Sequence, residues 1–73
     1  MYEVKVNGES VIKSDDQNIV LVVFEVKCLE QVQNVEGLML ADNKQYYSKV
    51  EFLDYSNKEF FSTTIEAGEL NDE

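Results

Sequence analysis

The sequence predicts an all-β domain, with at most one short helical turn: a small antiparallel meander of five to six strands closed into a barrel or a sandwich. Three observations carry that prediction. Apolar and polar residues alternate with a period of two over much of the chain. Val, Ile, Tyr, Phe and Thr recur in runs bounded by Asn, Asp, Gly and Ser. The intervals between those runs are short, which favours hairpins, because a parallel crossover needs about a dozen residues or more.

The first pair of strands is marked most clearly. Tyr2, Val4 and Val6 alternate with Glu3 and Lys5, Asn7-Gly8 follows, and Glu9 to Lys13 resumes an extended pattern. Asn-Gly suits a type I′ turn, whose two central residues both need positive φ. Ser14 to Asn18 then reads as a polar turn, and Ile19 to Leu29 as the longest strand. Every residue from Ile19 to Phe24 is apolar, whereas Glu25 and Lys27 alternate with Val26 and Cys28. The first half of that segment therefore needs cover on both faces, from a barrel, a second sheet or a dimer partner.

Residues 30–41 are ambiguous. Leu29, Val32, Val35 or Glu36, and Met39 could mark a helical face, but Gly37 would weaken such a helix by about 1 kcal/mol relative to Ala. A turn or helical turn at 30–34 followed by a strand at 35–41 is the reading adopted. Asp42-Asn43-Lys44 closes a hairpin into Gln45 to Asp54, and Ser56-Asn57-Lys58 closes another into Glu59 to Ile65. Residues 1–65 make the single domain. Residues 66–73 hold four of the fifteen acids and read as a flexible acidic tail.

Composition narrows the function. The 73 residues carry fifteen acids and six lysines, with no Arg, His, Pro or Trp, for a net charge of −9. Such a chain binds DNA or RNA poorly, because that affinity comes from neutralising phosphates and the bidentate contacts are made best by Arg. An anionic membrane surface is disfavoured for the same reason. No apolar run approaches the ~18 residues of a membrane span and no secretory leader is evident, so a cytoplasmic setting is expected. Cys28 is the single cysteine and reads as a small buried hydrophobe.

Catalysis is poorly supplied. Without His, no Ser–His, Cys–His or Cys/His metal arrangement can be assembled in one chain. Paired carboxylates remain, yet a barrel this small has little room for a cleft beside its core. Asp15-Asp16 and Asp54, Ser56 and Asn57 lack the spacing of a calcium loop and read as turn residues. Neither an enzyme nor a resident cofactor is expected.

The aromatic residues point elsewhere. Along Gln45 to Asp54, Tyr46, Val50 and Phe52 would face inward, leaving Tyr47, Lys49, Glu51 and Leu53 outside. If Phe61, Thr63 and Ile65 also point inward, Phe60 turns outward near Tyr55. Tyr47, Leu53, Tyr55 and Phe60 then form an apolar patch rimmed by acids, unless a bulge returns some of them to the core. The expected function is a protein-binding inhibitor or regulator. It would present carboxylates at Glu25, Glu51, Asp54 and Glu59 that imitate nucleic-acid phosphates to a basic partner such as a nucleic-acid enzyme. The Lys, Asn, Ile and Tyr usage resembles that of AT-rich bacterial mobile elements and phages. A self-associating assembly protein, dimer or higher oligomer, is the second expectation, since a short chain buries little surface alone. The third is a single-strand binder resembling the oligonucleotide-binding barrels and stacking bases on Tyr46, Tyr47, Phe60 and Phe61.

Overall fold

In the computed structural model, which describes residues 1–42 and 46–67, five elements follow one another: β1 (Tyr2–Val6), β2 (Glu9–Ser14), α1 (Gln17–Asp42), β3 (Tyr46–Asp54) and β4 (Glu59–Ala67). The four strands form one open antiparallel sheet in the order β2-β1-β3-β4, and α1 lies across one face. The all-β barrel or sandwich expected from the sequence is therefore corrected to a two-layer α/β arrangement of one helix on one sheet. The strands expected at 19–29 and 35–41, and the turn between them, are a single α-helix.

The first hairpin forms as its residues dictate. Asn7 and Gly8 take φ of 51° and 86°, the positive values a type I′ turn requires. The register slips between Val4 and Lys5, which leaves Val11 as the extra residue of a bulge in β2. Lys58 supplies a further positive φ, 55°, at the turn into β4.

Topology explains why residues 17–42 must be helical. β2 and β3 both pair antiparallel to β1 and flank it, so they run parallel to each other. The connection between them has to cross the sheet, and a crossover of this kind is normally a helix. Asp16 starts it. Its Oδ1 accepts hydrogen bonds from the backbone N–H of Asn18 (3.0 Å) and Ile19 (3.3 Å), and its own N–H donates to Ser14 Oγ (3.0 Å). A capping side chain of this type contributes about 1 kcal/mol. The polar turn read at 14–18 is thus a helix cap.

The core lies between α1 and the central strands. Val4, Val50 and Phe52 from the sheet meet Val20 from the helix, with Tyr2, Val6, Ile12, Val23, Phe24, Cys28 and Ile65 packed around them. On α1 the sheet-facing positions Val20, Phe24, Cys28, Gln31 and Val35 recur every three or four residues, the spacing of one helix face. β4 extends to Ala67, two residues into the stretch read as a tail; residues 68–73 lie outside the described residues. No helix among the described residues is long and apolar enough to cross a membrane.

Candidate interaction surfaces

Two surfaces follow from this geometry, one on each side of the molecule. The first is the face of the sheet that α1 does not cover. β3 and β4 pair without interruption from Tyr46–Ala67 to Asp54–Glu59, so no bulge exchanges their faces. Leu53 and Phe60 are direct partners, and Tyr55 meets Phe60 edge-on with ring centroids 6.1 Å apart. Phe60 remains 59% exposed. Tyr47 points to the same side with 74% of its surface exposed, but it stands six residues along β3 from Leu53, about 20 Å at the rise of a strand.

Charge on this face is balanced. Cross-strand rows set Lys13 beside Glu3 and Lys5 beside Glu51, and Lys49 Nζ lies 3.7 Å from Glu51 Oε2. Glu3 is 2% exposed, roofed by Tyr55, whose hydroxyl donates to Glu3 Oε1. Hydrogen bonds from Ser10 and then Tyr55 hold the Glu3 carboxyl below its ordinary 4.5, with Lys13 and Lys5 adding to the effect against the cost of burial. The same hydrogen bond to Glu3 pushes the Tyr55 phenol above its ordinary 10.0, with burial, Glu3 and Glu51 adding to it.

The other carboxylates expected at the patch lie elsewhere. Glu25 is on α1, on the far side of the sheet. Asp54 and Glu59 point to the helix side, where with Leu21, Phe24, Phe52 and Phe61 they line a cleft of about 400 Å³ that carries no hydroxyl, thiol or amine. Asp54 is buried, and Asn57 holds it ionised: Nδ2 donates to Oδ2 at 2.9 Å and the backbone N–H to Oδ1 at 3.2 Å, which lowers its carboxyl below the ordinary 3.8. Tyr46 and Phe61 likewise share the helix side, opposite Tyr47 and Phe60, so the four aromatics expected to stack bases occupy two faces. Among the described residues no group of three or more His, Cys, Asp or Glu could hold a metal ion.

These shifts set a pH dependence. Glu3 and Asp54 have depressed folded-state values, so their stabilisation is present above their ordinary values and is lost as pH falls through the folded ones. Tyr55 has a raised value, so its contribution is present below pH 10.0 and is lost as pH rises past it. Melting temperature should therefore be flat through neutrality and fall at both ends. Glu3→Gln should remove part of the acid limb, measured by circular dichroism melts between about pH 5 and about pH 3. A variant whose curve merely parallels the parent over that interval would contradict this.

The second surface is the outer face of α1, which the sequence reading did not single out. Ile19, Val22, Val26 and Leu29 recur at intervals of three, four and three residues, and each is between 45 and 68% exposed. Gln33 and Glu36 then interrupt the apolar stripe before Leu40, one turn beyond Glu36. Glu25, Glu30 and Glu36 stand exposed along it, and Lys27 Nζ pairs with Glu30 Oε1 at 3.0 Å. The signal was present in the spacing, but an apolar run satisfies a doubly covered strand equally well. Cys28 sits on the inner side, partly buried, its thiol pushed above 9.0 by burial and by Glu25.

Compared with known proteins, the chain matches no family model, no curated protein and no solved structure.

Proposed function

We propose that this protein is a small non-enzymatic inhibitor or regulator that docks on a basic protein through the uncovered face of its sheet. The observation that supports this is the contiguous apolar cluster of exposed Tyr55 and Phe60 with half-buried Leu53, on a face with no layer over it. Apolar clusters of this kind on small soluble domains mark interaction sites, and Tyr and other aromatics are enriched at interface anchors. Phe60 is the anchor, Tyr55 and Leu53 its support, and Tyr47 an outlying contact. The −9 charge steers encounter toward a basic partner. A nucleic-acid enzyme, with its basic groove, has the right charge. Because Glu25, Asp54 and Glu59 lie away from this face, the reading rests on aromatic contact more than on an ordered array of carboxylates, with Glu51 as the acid at the patch.

Capture from a nuclease-treated bacterial lysate, with the parent chain and Phe60→Ser compared at low and moderate salt, tests it. A stoichiometric basic protein should be retained by the parent, weakened as salt rises, and reduced at least ~10-fold by Phe60→Ser, which removes a central anchor. Equal retention by the variant, or recovery of the chain alone, would overturn the proposal.

A further inference from the structure

A strand at the edge of a sheet presents a row of backbone donors and acceptors, which soluble proteins blunt with bulges, Lys, Pro or a short strand. The two edges here differ. β2 is six residues long, carries the bulge at Val11 and includes Lys13. β4 is nine residues long, pairs with β3 without a bulge, has no Pro or Lys, and is uncharged from Phe60 to Ile65. We infer that the free edge of β4 pairs antiparallel with β4 of a second copy of the chain, about a two-fold axis at Thr63 perpendicular to the sheet, so that two four-stranded sheets join into one of eight strands.

The hydrogen-bond phase of the sheet fixes what that edge offers. Lys49 turns its backbone toward β1: its C=O accepts from the Asn7 N–H at 2.8 Å and its N–H donates to Asn7 Oδ1 at 2.9 Å, and the Tyr55 N–H likewise donates to the Met1 C=O at 3.0 Å. Odd-numbered residues of β3 therefore bond toward β1 and even-numbered ones toward β4. Val50 pairs with Thr63, so the odd-numbered residues of β4 take those bonds. The N–H and C=O groups of Phe60, Ser62, Thr64 and Glu66 then point outward, where no described strand meets them.

A second copy is the occupant because β4 is its own complement about Thr63. Phe60 meets Glu66 of the second copy and Ser62 meets its Thr64; four such pairs with two bonds each make eight hydrogen bonds, whereas an axis at Ser62 or Thr64 leaves six within β4. On the helix side the same axis sets Phe61 against Ile65 of the second copy on both sides of the two Thr63 residues. Phe61 is 57% exposed although its cross-strand partner is the buried Phe52, since it stands at the free edge, and Ile65 of the second copy covers it. No two carboxylates face one another, since Glu66 meets Phe60. The contact is about 30 Å long and smaller than a standard interface, so the dimer is weak and main-chain hydrogen bonds supply its specificity. Each copy carries −9, so repulsion opposes the pairing and salt relieves it.

Sedimentation equilibrium of the full chain should show a dimer that forms toward about 1 mM, dissociates on dilution and strengthens as salt rises. Thr64→Pro removes an outward N–H and no bond to β3, so it should weaken the dimer at least ~10-fold while the monomer keeps its circular dichroism. Register is read by disulfide trapping in a Cys28→Ser background. The two copies of residue 63 form a non-hydrogen-bonded pair with Cα atoms about 4.5 Å apart, within reach of a disulfide, whereas those of residue 64 are two positions out of register, beyond the roughly 7 Å a disulfide spans. Thr63→Cys should therefore cross-link to itself under mild oxidation and Thr64→Cys should not. A strict monomer at about 1 mM with native circular dichroism would overturn the inference. So would a folded Thr64→Pro that dimerises like the parent, or trapping of Thr64→Cys as readily as Thr63→Cys; should Thr64→Pro unfold, the two cysteine variants decide. Capture of a basic protein weakens with salt and needs Phe60, whereas Phe60→Ser keeps every backbone group of the edge, so failure of either experiment leaves the other standing.

Discussion

Phe52→Ala should remove a large fraction of the stability of this fold. Phe52 is 4% exposed at the centre of the helix-facing sheet surface, with the rings of Tyr2, Phe24 and Phe61 at 5.9, 6.0 and 6.2 Å. Truncating a buried Phe costs about 3–5 kcal/mol, because the lost transfer energy is joined by a cavity the neighbours fill only in part. A chain of 73 residues has a total stability of only about 4–11 kcal/mol at ordinary values per residue. The melting temperature should fall by on the order of 20 °C. Phe61→Ala, at the neighbouring and largely exposed position, should cost less than half as much. Urea unfolding at a fixed protein concentration measures both. Equal losses for the two variants would show that Phe52 is not the keystone of the packing.

The second large effect is expected at an exposed turn. Asn7→Ala should cost about 2–3 kcal/mol, from a left-handed residue made unfavourable and two hydrogen bonds removed. Asn7 has φ of 51°, which alanine tolerates poorly. Its Oδ1 accepts from the backbone N–H of Lys49 at 2.9 Å, and its Nδ2 donates to Ser48 Oγ at 2.9 Å. Ser48 is buried and donates in turn to Gln31 Oε1 at 2.7 Å, so one asparagine ties the first hairpin to β3 and, through it, to the helix. Asn7→Asp keeps the turn conformation and the acceptor but not the donor, and should recover about half of the loss. Thermal melts of the three proteins decide it. If Asn7→Asp is as damaging as Asn7→Ala, the turn conformation contributes little and the tie to Ser48 carries the effect.

Much of the sheet was legible in the sequence because its signals are local. Asn7-Gly8 specifies a turn by the φ values two adjacent residues tolerate. The alternation through 46–54 and 59–65 assigned faces that the unbroken β3–β4 register bears out: Tyr46, Val50, Phe52 and Phe61 inward, Tyr47, Leu53 and Phe60 outward. Of the residues expected to form one site, Leu53, Tyr55 and Phe60 come together and Glu51 shares their face. Tyr47 stands apart, and Glu25, Asp54 and Glu59 lie on the other side. Asp54 and Glu59 follow the same alternation, two residues from Phe52 and Phe61, and so their side was legible; Glu25 was not, since its position depends on where α1 runs.

What the sequence by itself determined is the hairpin at 7–8 and the two C-terminal strands with their faces; the cover expected on both sides of Ile19 to Phe24 is not found, since Ile19, Leu21 and Val22 are exposed on α1. What only the tertiary structure decided is that residues 17–42 form a helix. Six consecutive apolar residues satisfy a doubly buried strand and a doubly covered helix alike, and β-branched residues tilt the local preference toward the strand. The choice falls to the crossing from β2 to β3. With β1 lying between two parallel strands, the chain must pass over the sheet, and a helix does so while pairing all its internal backbone hydrogen bonds and burying Val20, with Phe24 and Cys28 packed beside it, against Val4, Val50 and Phe52.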